Sequence, residues 1–221
     1  MYEKNDIAKI VGEFELKHDP YGRYASFDYC YNYFHPSSNE DITKDMEKSC
    51  ITLGFYLASW GMFRGSSFIL EKSSKHFIPT IEYIASLPST TWDIDADNLN
   101  EENIDNLIDI YNSIKNALVN GNNAHLTLVT KIMLGVFASV PAYDRFFIKT
   151  FSEIFKGDCG FTSFNKKSLN SISKFYESNN DNINAIANEF KTVDFLTGNA
   201  TQLSYTKSKV IDMYGFTKGF T

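Results

Sequence analysis

The sequence predicts an all-α protein: one domain over residues 1–221, with about nine or ten helices around two apolar central helices. Three observations carry this expectation. Apolar residues recur at three- and four-residue steps between turn signals, the spacing that gathers them on one helical face. No stretch alternates apolar and polar residues for long enough to read as a strand. Run 51–63 is apolar on nearly every face, and a helix of that kind belongs in the interior; a second strongly apolar run, 124–138, turns Leu126, Val129, Ile132, Met133, Val136 and Phe137 inward as its expected packing partner. Run 51–63 is shorter than the roughly 20 residues that cross a bilayer.

The elements follow in order. Ile7, Ile10, Val11 and Phe14 share a face over 5–17, and Asp19-Pro20-Tyr21-Gly22 turns the chain. Tyr24, Phe27, Tyr31 and Phe34 mark a helix over 23–34, ended by His35-Pro36-Ser37-Ser38-Asn39. Asp41 or Thr43 is the expected cap of the helix leading into the central run, which stops at Arg64-Gly65-Ser66-Ser67. A helix over 76–87 carries Pro79 in its first turn, where a missing N–H costs least. Residues 93–103 form an acidic connection, expected to be the most flexible loop. Its carboxylates at 93, 95 and 97 lack the glycine and glutamate of a calcium loop. Asn100 caps an amphipathic helix over 101–119, Asn120-Gly121-Asn122-Asn123 breaks the chain, and the second apolar run follows. Val140-Pro141 stops that run before a helix over 143–155. Two helices over 165–176 and 183–190, joined by an Asn-rich turn, precede a last helix capped by Thr201 or Ser204 and ending near Gly215.

Composition bounds the function. A net charge of −6 disfavours a broad electrostatic grip on nucleic acid or anionic lipid, which needs clustered Lys and Arg. A local basic face and a protein partner both stay open. Cys30, Cys50 and Cys159 are odd in number and far apart, the pattern of reduced thiols, so a cytoplasmic location is expected. Residues 1–19 carry acidic side chains and no continuous apolar core, so no signal peptide is expected. His18, His35, His76 and His125 lack ligand spacing; no metal and no cofactor are expected.

No strong catalytic signature is present, so catalysis stays open. Arg64, beside Ser66 and Ser67, offers donors to an anion, or alternatively pairs with a carboxylate or caps the preceding helix. Trp60 is a core residue or a pocket wall. Lys131 sits mid-helix among Val129, Ile132, Met133 and Leu134. It either snorkels to the surface or, facing a cleft, becomes a candidate amine nucleophile. Asp144 either caps the next helix or serves as that amine's carboxylate. Tyr143 and Arg145, which flank Asp144, complete the candidate binding set.

The blocks RYASFDYCYNYF, LGFYLASWGMFRGSSFIL, TLVTKIMLGVFASVPAYDRFF and KVIDMYGF resemble a family of uncharacterised all-α bacterial proteins. Within them, VTKIMLGVFASVPAYD is similar to the pocket region of helix-hairpin-helix DNA glycosylases of the 8-oxoguanine type, over about 120–144. That resemblance implies a hairpin at 120–123, Lys131 as the amine and Asp144 as the carboxylate, with the KVIDMY helix beside the lysine helix. The chain departs from the family in having NGNN where the hairpin has LPGVG, and in a shorter Lys-to-Asp interval. The two expectations are a non-catalytic binding protein and a glycosylase-like domain, active or degenerate.

Overall fold

The computed structural model describes residues 6–15, 18–36, 41–65, 67–119, 121 and 124–220. Ser37, Ser38 and Asn39 of the expected turn, Ser66 of the candidate binding set, and Asn120, Asn122 and Asn123 of the expected hairpin lie outside the described residues. The protein is predominantly helical, in the order α1 (Asp6–Glu15), α2 (Ser26–Phe34), α3 (Met46–Ser59), α4 (Ile78–Ala85), α5 (Glu101–Leu118), α6 (Leu126–Phe137), α7 (Arg145–Ile154), α8 (Lys166–Glu189) and α9 (Lys207–Phe220). Between α8 and α9 lies a small antiparallel hairpin, β1 (Lys191–Val193) and β2 (Ala200–Ser204).

Two helices are enclosed. Every α6 residue from Leu128 to Phe137 is buried, and α9 is buried from Ser208 to Thr217. Helix α6 packs against α2, α3 and α5, while α9 packs against α7, α1 and α8. Run 51–63 meets α6 as expected, but only one of its faces is covered. Cys50, Leu53, Tyr56 and Leu57 are buried, whereas Ile51 and Phe55 are exposed on the other face and border a groove that also takes in Phe195 and Leu196 of the hairpin turn. The helix stops at Ser59, and Gly61 then takes a positive φ that frees the chain to turn. Close packing against α6 depends on Gly135, where a Cβ would overlap the Tyr56 ring.

Several local expectations need correction. The acidic connection is built into the core rather than loose: it forms short 3-10 turns at Ser89–Asp93 and Ala96–Asn98. Buried Asp95 accepts the backbone N–H groups of Lys207 and Ser208, capping α9 from 112 and 113 residues away. Asp45, not Asp41 or Thr43, caps α3; Asp41 holds its own turn through the amides of Thr43 and Lys44. The two expected helices over 165–190 are one helix, kinked where Asn179 leaves helical geometry and its side-chain amide donates to the Phe175 carbonyl. Thr206 caps α9, which runs on to Phe220, while Thr201 and Ser204 lie in β2.

Strand β1 sits on α2. Asn32 donates to the Val193 carbonyl, and buried Asp28 accepts the Val193 amide and the Tyr205 hydroxyl, with His18 Nε2 2.9 Å from its Oδ2. The three cysteines are free and buried. Among the described residues, no helix is long and apolar enough to cross a membrane, and no cluster of three or more His, Cys, Asp or Glu side chains could hold a metal ion.

Candidate functional site

The site forms where the α6–α7 connection folds back along α6. Two threonines of α6 hold both backbone groups of Tyr143. The Thr127 hydroxyl donates to its carbonyl at 2.8 Å, and its N–H donates to Thr130 Oγ1 at 2.9 Å. Thr127 and Lys131 lie four residues apart, hence on one helical face. The next residue of the connection, Asp144, is therefore delivered to the side chain of Lys131. Lys131 Nζ lies 3.3 Å from Asp144 Oδ2.

Asp144 does both things that its position allows. Its Oδ1 accepts the N–H groups of Phe146 and Phe147, each at 3.0 Å, and so caps α7. Its Oδ2 is left for the lysine. Lys131 does not snorkel: it is 3% exposed, and its ammonium stands 5.1 Å from the centroid of the Trp60 ring. An ammonium over an aromatic face in a desolvated setting gains on the order of 2 kcal/mol.

A second ion pair completes the cluster, and the sequence reading did not find it. Lys209 Nζ lies 4.9 Å from the same Trp60 ring and 4.2 Å from that of Phe27. Its ion partner Asp212, one helical turn on, has Oδ2 3.5 Å away, with side-chain exposures of 1% and 5%. Asp212 Oδ1 accepts the N–H of Ala142, a second tether on the connection that carries Asp144. Burial pushes the Asp212 carboxyl up. Lys209 and Lys131 pull it back and Asp144 pushes it further, so the two pairs act on one another electrostatically. Two ammoniums thus stand over one indole, each paired with its own carboxylate, and the indole Nε1 is buried with no hydrogen-bond partner among the described residues. The available signal for the second pair was KVIDMY, an i, i+3 Lys–Asp pair set among Val210, Ile211 and Met213.

The other candidates divide between the core and a cavity. Tyr143 is fully buried, stacked on Phe147 with ring centroids 5.4 Å apart, so it is a packing residue and does not line the cavity at the start of α6. Trp60, 5% exposed, is a core residue that also walls the charge cluster. Arg64, Ser67 and Arg145 line a cavity of about 880 Å³ at the start of α6. Among the described residues, Arg64 has neither of the partners expected of it, a carboxylate or the carbonyls of α3. Trp60, Lys131, Asp144, Lys209 and Asp212 do not themselves line that cavity, but near neighbours in the chain do. Thr127 is one turn before Lys131, Arg145 follows Asp144, and Met62 is two residues beyond Trp60.

Buried charge of this kind is costly unless paired, and such clusters concentrate where chemistry or ligand binding uses them. No protein-family model, curated protein or solved structure matches the chain.

Proposed function

We propose that the chain acts on the sugar of a nucleotide in the manner of the helix-hairpin-helix glycosylases it resembles, with Lys131 as amine nucleophile and Asp144 as carboxylate. The observation that supports this reading is the 3.3 Å approach of Lys131 Nζ to Asp144 Oδ2, with the carboxylate fixed by two α7 amides. An ammonium is no nucleophile; transfer of a proton from Nζ to Oδ2 supplies the neutral amine. Nζ then bonds to C1′ of an extruded nucleotide as the glycosidic bond breaks, and the electron pair leaving with the base takes the proton held on Asp144, so that the restored carboxylate faces the positive charge on the sugar; loss of an Nζ proton and opening of the sugar ring give the imine that borohydride reduces. Because Lys131 is buried, C1′ reaches Nζ only if the side chains that cover it, Trp60 among them, shift. Borohydride reduction in the presence of 8-oxoguanine or abasic-site DNA is expected to leave a covalent adduct on the wild type and none on Lys131→Met. Absence of any adduct across a panel of damaged bases and abasic sites would remove catalysis from the account.

The second reading, a non-catalytic binding protein, is favoured by the enclosure of the cluster. With side-chain exposures of 4% and 1%, Lys131 and Lys209 are already paired and covered by aromatic rings. On this reading the cluster orders the α6–α7 connection, and the adjoining cavity is the working surface.

A further inference from the structure

The cavity at the start of α6 is unusual in its charge. In a chain of net charge −6, its described lining includes Arg64, Arg145 and His125 and no carboxylate. Arg64 and Arg145 are both exposed, and neither makes an ion pair among the described residues. Helix α6 begins in the same wall: Leu126, Thr127 and Leu128 line the cavity, and His125 at the N-cap position provides no side-chain cap. The first-turn N–H groups of a helix that lacks such a cap carry partial positive charge toward whatever occupies the space. Part of the remaining wall is aromatic, beside small and polar side chains such as Ser67, Thr162 and Ser163. Phe68 is half-buried, and Tyr111 stacks on Phe164 with centroids 4.7 Å apart and planes 12° from parallel.

We infer that this cavity binds a nucleotide through its phosphate, held by Arg64, Arg145 and the start of α6, with the sugar and base against the aromatic wall. Guanidinium forks match phosphate oxygens in pairs, and two of them suit a doubly charged group better than a single carboxylate. The volume, about 880 Å³, is that of a site for a ligand of drug size and far exceeds a bare phosphate. The phosphate can belong to a free mononucleotide or to the 5′ end of a strand; the recognising chemistry is the same. The inference extends the nucleotide reading above, yet rests on different side chains, since neither arginine belongs to the Lys131 cluster. Failure of Schiff-base trapping leaves it standing, and failure of binding leaves trapping standing.

The test is calorimetric titration of the full chain at low salt with 2′-deoxyadenosine 5′-monophosphate, 2′-deoxyadenosine, inorganic phosphate, and an oligothymidylate with and without a 5′ phosphate. The monophosphate is expected to bind about tenfold or more tightly than the nucleoside, the difference of one charged hydrogen-bonding group. The R64A/R145A double variant, altered at two exposed positions, is expected to lose about as much with its melting temperature unchanged. R64K/R145K keeps the charge without the forks and is expected to weaken binding in the same direction. Tighter binding of the phosphorylated strand than of the monophosphate assigns the site to strand ends, and the reverse assigns it to free nucleotide. Failure of every phosphorylated probe to bind, equal binding of the nucleoside, binding of inorganic phosphate as tight as that of the monophosphate, or undiminished binding by the double-alanine variant would each overturn the inference.

Discussion

Asp144 carries two loads with two oxygens, and substitution separates them. Asparagine is a good N-cap, so Asp144→Asn keeps the hydrogen bonds to Phe146 and Phe147 while removing the charge opposite Lys131. An ammonium left unpaired in a buried site costs about 3 kcal/mol or more. Asp144→Ala loses the cap as well, about 1 kcal/mol further. Lys131→Met is expected to be the mildest of the three, because Asp144 keeps its two amides and the methionine fills the space beside Trp60. Urea unfolding of the three variants gives the order; a Lys131→Met variant as damaged as Asp144→Asn would contradict the division of roles. At this scale the sequence was half legible. Lys131 stood out as a charge on an apolar run, and Asp144 stood out as a cap candidate. Lys209 and Asp212 did not, because α9 reads KSKVIDMYGFTKGF, a mixed sequence in which one more Lys and Asp look like the polar face of an ordinary amphipathic helix.

At the scale of the elements, α9 organises the site from behind. The Thr206 hydroxyl donates to the Ala138 carbonyl and accepts the Lys209 N–H, Ser208 Oγ donates to the Ser139 carbonyl, and Asp212 takes the Ala142 N–H. The connection out of α6 is thus held at three places by one turn and a half of α9. Ala138 needs such support, since its φ of 52° is a left-handed conformation that costs a residue with a Cβ roughly 1–2 kcal/mol. Thr206→Ala removes a cap and the bond to Ala138 together, an expected loss of about 1–2 kcal/mol by thermal or urea unfolding. No change in stability would show that α9 does not brace the connection. Helices α5 and α6 were legible because long apolar stripes and the Asn100 cap are local signals. The hairpin was not, because strands of three and five residues are too short for alternation to register, and β1 is held by side chains of α2. The acidic connection misled for a related reason: polar composition suits a loop equally well whether its carboxylates meet water or, like Asp95, the amides of a distant helix.

The whole molecule joins these parts in one apolar core that runs from Ile7 to Phe216, and its buried carboxyls give folding a definite pH dependence. Burial raises both Asp95 and Asp212 above the usual carboxylate value near 3.8. The folded chain therefore retains protons on these groups that the unfolded chain has released, and stability falls on their account as pH rises from about 3.8 through the raised native values. Asp95→Asn removes one such group. It is expected to flatten the slope of unfolding free energy against pH in that window, whatever it does to the absolute stability. An unchanged slope would remove Asp95 from the titration.

The proposal that Lys131 is a reactive amine is tested by finding where a reduced sugar adduct lies. Peptide mapping by mass spectrometry after borohydride treatment with abasic-site DNA is predicted to place the added mass on the peptide containing Lys131, and Lys131→Met is predicted to abolish it. An adduct on Lys209 or on surface lysines, or none at all, would contradict the account.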